Sequence, residues 1–195
     1  MVDGIGVDEK KDSMRFYDAT APSYEELYGE EQQSKYDAAL KAIEAAHLGS
    51  VLDVGCGPGI FLRSISAMSI LSVGIDTSCQ SLKYAKRSGV ANLACADADF
   101  LPLRDEAFDS VFAFTLVQNM PDPASALREM LRVVRSGGLV VVTMPVGHRS
   151  EREVRHWLEK TCASVHDAGV DSSPKDLVLV CLKADGVSTR EPKRF

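Results

Sequence analysis

The sequence has no run approaching the roughly 18 consecutive apolar residues of a membrane span, and its start, MVDGIGVDEKKDSMRF, lacks the apolar stretch of a secretory signal. A cytoplasmic protein without a membrane span is therefore expected. It has no CxxC pair and no cysteine–histidine spacing of the zinc-binding kind, so no metal site is predicted. Its five cysteines, Cys56, Cys79, Cys95, Cys162 and Cys181, are an odd number and are expected to be reduced, small core residues. There is no internal repeat or low-complexity tract. A basic excess is also missing: 22 Lys and Arg stand against 28 Asp and Glu, a net charge of −6, which argues against a nucleic-acid footprint spread along the chain. What is present, 45% hydrophobic and 26% charged over 195 residues, is the composition of one globular domain.

The charge is unevenly placed. Residues 1–50 carry 5 basic and 11 acidic side chains, 51–144 carry 8 and 9, and 145–195 carry 9 and 8. From residue 51 onward, short apolar runs alternate with helical patterns, the rhythm of a mostly parallel sheet covered by helices. Strands are expected at Val51–Val54, Leu71–Ile75, Asn92–Ala96, Asp109–Leu116, Leu139–Met144 and Leu177–Lys183, with a brief further strand at Ala163–Asp167, giving six or seven in a three-layer α/β/α sandwich. Leu127, Met130, Leu131 and Val134 keep helical spacing, with Asp122–Pro123 as the start and Gly137–Gly138 as the stop. Two helices precede the sheet, one through residues 14–28 broken near Pro22 and one with Tyr36, Leu40, Ile43 and His47 on a face. A single domain over 1–184 follows, with 1–50 a helical cap, 51–144 the ligand-binding core and 185–195 a flexible tail.

VLDVGCGPG, Val51 to Gly59, carries the most chemistry. A buried strand ends in an acid, then Gly55, Gly57 and Gly59 alternate before the apolar helix IFLRSI. Glycines permit positive φ in a tight strand-to-helix turn and let a ligand lie against the backbone. A phosphate-binding loop is excluded because no Lys-Ser/Thr pair follows, and the dinucleotide fingerprint fails because the third glycine arrives one residue early. Cys56 fills a place that needs a small side chain and is not read as a nucleophile. Asp76, 23 positions beyond Asp53, leaves the second strand ahead of Thr77 and Ser78, where a carboxylate accepts both hydrogens of a ribose diol; Ser78 is suited to cap the next helix. Asp97 follows the third strand, placed to accept from an exocyclic amine, with Phe100 or Leu101 against the base.

Together VLDVGCGPG, GIDTS, ADADFLPLRDEAFDSVFAF and LREMLRVVRSGGLVVVTMP resemble class I S-adenosylmethionine-dependent methyltransferases of the Rossmann-like fold, over about residues 51–144. Within that class the sequence is similar to the methyltransferase type 11 group, which includes menaquinone- and ubiquinone-biosynthesis enzymes, and FYDATAPSYEELY resembles their opening segment. The resemblance implies S-adenosylmethionine as cofactor and S-adenosylhomocysteine as product. It puts Asp53 near the methionine amino group, Gly55, Cys56, Gly57 and Gly59 under the methionine and ribose, Asp76 and Thr77 at the ribose, and Asp97 and Ala98 at the adenine. Phe114, Thr115 and Leu116 then face the methyl donor, and Tyr17 and Tyr24 close over it.

The segment TLVQNMPDP lacks the Asn-Pro-Pro-aromatic pattern of amino-methylating enzymes. Gln118 and Asn119 are the polar groups expected to orient an acceptor, and His148 is a candidate base. The acceptor pocket is expected to be shallow, walled by the N-terminal helices and by the loops at Asn119 and Gly147. Arg149, Arg152 and Arg155 form a basic cluster suited either to an anionic acceptor or to a solvated helix face. A small metabolite or lipid-like acceptor is the expected substrate. A second reading is an RNA- or protein-modifying methyltransferase whose small zinc-binding activator pairs with the edge strand Asn92–Ala96. A third is a non-catalytic cofactor-binding module.

Overall fold

The computed structural model of the chain describes residues 3–44, 48–148, 150–168 and 175–185. The expected His47 and Arg149 positions, the loop at 169–174 and the tail beyond Asp185 lie outside them. Seven strands form one sheet: β1 Gly49–Val54, β2 Ser69–Asp76, β3 Leu93–Cys95, β4 Phe108–Phe114, β5 Val134–Pro145, β6 Cys162–Asp167 and β7 Asp176–Lys183. Their order is β3-β2-β1-β4-β5-β7-β6, and only β7 runs against its neighbours. The order reverses between β1 and β4, so their C-terminal ends open the crevice in which ligands gather in such sheets.

Six helices accompany the strands: α1 Asp3–Thr20, α2 Tyr24–Ala42, α3 Ile60–Ser64, α4 Cys79–Arg87, α5 Pro123–Val133 and α6 Glu151–Thr161. The sheet is apolar on both faces, as a sheet between helices must be. One face packs Val111, Val140 and Val142 against Leu127, Met130 and Leu131 of α5, and the other packs Phe112, Phe114 and Val141 with Phe61 and Tyr36. α5 begins as expected, with Asp122 accepting from the Ala124 N–H at 3.1 Å and Pro123 in the first turn.

Three local expectations are corrected. The break expected near Pro22 lies at Ala21–Ser23, but it separates the two cap helices: residues 24–28, expected in the first, belong to α2, which runs on without interruption and ends at Ala42, before Ile43. Gly137 and Gly138 do not stop α5; the chain passes from Val133 directly into β5, and Gly138 lets β5 approach β4, since a Cβ there would lie 2.6 Å from the Asp109 carbonyl oxygen. The cysteines are not all reduced core residues. Cys79 pairs with Cys95 and Cys162 with Cys181 as disulfides, each with Cα atoms 6.0 Å apart, and only Cys56 is free. Sheet adjacency explains both pairings: β6 lies beside β7, and the start of α4 sits over the end of β3. Cys79 and Cys95 are exposed.

Candidate functional site

A cavity of about 770 Å³ lies over the C-terminal ends of β1, β2, β3 and β4. Its floor includes Val54, Gly55, Gly57, Asp76, Thr77, Asp97 and Ala98, one wall is Phe114, Thr115, Leu116 and Asn119, and α1 and α2 cover it with Met14, Tyr17 and Tyr24. A smaller adjoining cavity lies beneath the glycine loop, lined by Tyr24, Gln32, Asp53, Gly55, Cys56 and Gly57. Of the cofactor-binding and acceptor-side candidates Tyr17, Tyr24, Asp53, Gly55, Cys56, Gly57, Gly59, Asp76, Thr77, Asp97, Ala98, Phe114, Thr115, Leu116, Gln118, Asn119 and His148, these two spaces gather all but Gly59, Gln118 and His148. Gly59 points away: it starts α3 with φ +76°, where a Cβ would meet Val90 at 2.8 Å, so its part is close packing. Gln118 is buried against the core, off the cavity, with Oε1 unpartnered among the described residues. His148 lies beyond the rim, its Nδ1 2.8 Å from Ser150 Oγ, where it shapes the entry to α6; the Gly147 loop does not line the cavity either. Leu101, expected against a base, is core, whereas Phe100 lines the cavity and is 79% exposed. Arg152 is exposed and Arg155 pairs with Asp167 at 2.9 Å, so their helix face is a solvated one.

The three strand-end acids differ in surroundings. Asp53, 2% exposed, has an Oδ1 with no hydrogen-bond partner among the described residues, and burial, helped by the charge of Asp76, pushes its carboxyl up to about 8. Asp76 accepts from the Gly57 N–H at 2.8 Å and the Ser78 N–H at 2.7 Å, tying the glycine loop to the next helix; burial raises its pKa while these bonds oppose the rise. Ser78 caps α4 as expected, accepting from the Ser81 N–H at 3.0 Å, and donates to Asp18 of α1 at 2.6 Å. Asp97 accepts from Lys10 Nζ at 2.8 and 2.9 Å, and Lys10 also pairs with Asp99.

Two groups were invisible in the sequence pattern. One is Lys10, which sits on the carboxylate expected to take an amine. The other is Lys35 of α2, 1% exposed, whose ammonium reaches Glu31 at 2.6 Å, Thr115 Oγ1 at 3.2 Å and Asp176 at 3.4 Å. Thr115 adopts φ +54°, a left-handed conformation unfavourable for a β-branched residue, and is held by Lys35, Gln32 and a bond from its N–H to Thr143. Asn119 donates to the Thr115 carbonyl at 3.0 Å and to the Tyr17 hydroxyl at 3.2 Å, so it joins α1 to the end of β4. Burial raises the Tyr17 and Tyr24 hydroxyls above their ordinary range, and both stay protonated at neutral pH.

A family model described as a methyltransferase domain matches residues 52–142, from β1 to β5. This segment is similar to class I S-adenosylmethionine-dependent methyltransferase domains. The malonyl-[acyl-carrier protein] O-methyltransferase of Salmonella typhimurium is 35% identical over 124 residues, 63% of this chain and 49% of that protein. The ubiquinone/menaquinone biosynthesis C-methyltransferase UbiE of Geotalea daltonii is 33% identical over 114 residues, 53% of this chain and 48% of that protein. The chain thus spans about half the length of these curated relatives. Among solved structures, the DhpI complex with S-adenosylhomocysteine aligns at a TM-score of 0.71 and 22% identity, covering 88% of this chain and 95% of that one. A chain of the complex between the Haloferax volcanii Trm112 methyltransferase activator and a methyltransferase also aligns at 0.71, with 18% identity, covering 86% and 97%.

The residues of the cavity fit S-adenosylmethionine. The unpartnered Asp53 oxygen needs a donor such as an ammonium, Asp76 has lone pairs beyond its two backbone bonds for a diol, and the unpartnered, buried Asp99 Oδ1 lies on the Asp97 side. No helix among the described residues is long and apolar enough to cross a membrane, and no cluster of metal-ligating side chains is found among them.

Proposed function

We propose that the chain transfers a methyl group from S-adenosylmethionine to a small metabolite or lipid-like acceptor. The observation that carries this reading is the single cavity bordered by Asp76 and Asp97, with Asp53 just beneath its glycine floor. The cofactor supplies an electrophilic methyl on a sulfonium, and its loss leaves a neutral thioether. No nucleophile from the protein is required, so the chain's part is to bind, orient and exclude water. Asp53 would hold the methionine ammonium, Asp76 the ribose diol, and Asp97 with the Ala98 backbone the adenine edge. The protonated rings of Tyr17 and Tyr24, 6.2 Å apart, screen the methionine end from solvent. Asn119, pinned between Tyr17 and Thr115, orients an acceptor without taking its proton. The apolar surfaces of Met14, Leu116, Met120 and Pro121 on the cavity wall favour an acceptor with a hydrocarbon part.

The test is transfer of labelled methyl into fractionated cell extract, with calorimetry of S-adenosylhomocysteine binding to the wild type and Asp76→Ala. Label in the small-molecule or lipid fraction, and a loss of affinity of about 30-fold or more in the variant, are expected, since charged hydrogen bonds contribute about 1.5–3 kcal/mol each. Absence of binding to the wild type would overturn the reading, and tight binding without turnover would leave a cofactor-binding module.

A second reading, methylation of RNA or protein with an activator, is supported by the likeness to the Trm112-partnered chain and by β3, which among the described residues pairs only with β2 and leaves its other edge open. Transfer of label to RNA or protein only on co-expression with a zinc-binding activator would favour it.

A further inference from the structure

The two disulfides differ in setting. Cys181 is fully buried within the sheet, whereas both Cys79 and Cys95 are exposed at the sheet edge beside the cofactor cavity. Cys79 is the first residue of α4, three positions after Asp76, and Cys95 ends β3, two positions before Asp97. The bridge therefore joins the two loops that carry the ribose-side and adenine-side carboxylates. Between them runs only the end of a short ladder: Asp76 lies opposite Cys95, and the Ala96 N–H donates to the Asp76 carbonyl at 3.1 Å. Thr77, Ala96 and Asp97, which flank the half-cystines, all line the cavity. Cys95 Sγ lies 3.6 Å from the Thr77 carbonyl, so the opened thiol has an acceptor in place and the loop need not collapse when the bridge breaks.

We propose that Cys79–Cys95 is a thiol–disulfide exchange site through which a dithiol reductant, or a low-molecular-weight disulfide in the reverse direction, sets how tightly the chain grips its cofactor. This rests on the cofactor reading above. In the forward step a thiolate of the dithiol attacks Cys95 sulfur, the Cys79–Cys95 bond breaks, and Cys79 leaves as a thiolate that takes up a proton. The second thiol of the reductant then attacks the mixed disulfide and releases Cys95. Two electrons pass to the protein, and the reductant departs as its own disulfide. Cys79 suits the leaving role because it stands in the first turn of a helix, where the exposed N–H groups favour an anion. Cys162 is half-buried and Cys181 fully buried, so that pair offers an attacking thiolate less access than the two exposed sulfurs of Cys79–Cys95.

With the bridge closed, Asp76 and Asp97 are fixed relative to one another before the cofactor arrives; with it open, part of that ordering must be supplied by binding. The chain is prepared with oxidised and with reduced dithiothreitol at graded ratios, its thiols are counted by alkylation and mass spectrometry, and S-adenosylhomocysteine binding is measured by calorimetry in each state. Cys79 and Cys95 are expected to become alkylated at lower reductant than Cys162 and Cys181. The dissociation constant should rise about three- to tenfold as they do, the loss that ordering one or two further side chains would cause. A Cys79→Ser, Cys95→Ser variant should bind like the reduced form in both buffers, and a Cys162→Ser, Cys181→Ser variant should keep the response. Equal affinity in the two redox forms, or free thiols at both positions under oxidising conditions, overturns the proposal. No binding in either form overturns the cofactor reading itself and this proposal with it.

Discussion

Asp53 offers a test in which stability and binding must move in opposite ways. In the unfolded chain its carboxyl ionises near the ordinary 3.8, while in the fold burial and the charge of Asp76 lift it to about 8. Below pH 4 both states hold the proton and the group contributes nothing. Between pH 4 and 8 the unfolded state has released it and the native state has not, so stability falls with rising pH by about 1.4 kcal/mol per unit. At pH 7 the accumulated loss is about 4 kcal/mol. Asp53→Asn replaces the protonated acid by a neutral group of the same shape. Urea unfolding of both proteins from pH 5 to 8 should show the variant more stable, with the gap widening toward pH 8. Asp109, held at about 2 chiefly by its bonds from Ser50 and then Arg135, and Glu129, lowered mainly by Arg132, give the opposite slope, but theirs lies below pH 5 and cancels in the comparison. Binding should reverse the sign. An ammonium delivered to the unpartnered Asp53 oxygen favours the ionised form, so binding at pH 7 should release close to one proton, and affinity should rise up to about tenfold per pH unit from 6 to 8. Calorimetry of S-adenosylhomocysteine in buffers of different ionisation enthalpy reads that proton directly. An Asp53→Asn protein should release none and bind more weakly. A wild-type enthalpy independent of buffer, or a variant less stable than wild type at pH 7, would refute the assignment.

Two further outcomes follow from the ion pairs at the cavity's edges. Lys35→Met should cost about 3–5 kcal/mol in urea unfolding, because it leaves the buried Asp176 carboxylate without its cation. Adding Asp176→Leu should recover most of that loss, and a single variant within about 1 kcal/mol of wild type would show that Lys35 does not hold α2 to β7. Lys10→Ala frees Asp97 Oδ2 and leaves Oδ1 with its bond from the Asp99 N–H, so S-adenosylhomocysteine affinity should rise, by no more than about fivefold since the pair is partly exposed. Weaker binding in that variant would mean that Lys10 itself contacts the cofactor.

The parts of the site that were legible in the sequence are those written locally. Asp53, the glycine loop, Asp76 and Asp97 each stand at the end of an apolar run, and a strand end followed by a turn signal places its residue at the open side of a parallel sheet whatever the rest of the chain does. The misread features depend on partners far along the chain. Gly138 looked like a helix stop because its use, the approach of the Asp109 carbonyl, lies on another strand. His148 looked like a base beyond a strand end, but Ser150 turns its ring toward α6. Cys79 and Cys95 are 16 residues apart and meet only because β3 ends under the first turn of α4.

α2 shows how such a misreading arises. Its apolar spacing, Tyr36, Leu40, Ile43, predicts a stripe of which the fold buries only Tyr36. Leu40 and Ile43 are only half-buried, and the inward stripe is Gln32, Lys35, Tyr36 and Ala39, with two polar members. Hydrophobic periodicity assumes that buried means apolar, which fails wherever distant residues supply partners for a buried charge. Here Asp176 at the start of β7 and Thr115 at the end of β4 do so, 141 and 80 positions from Lys35. Those partners converge on the strained turn after β4, beside the cavity. The stripe that periodicity could not find is therefore the one that fixes the Thr115 wall of the cavity, and its polar cost is accepted where a strained backbone is held rigid.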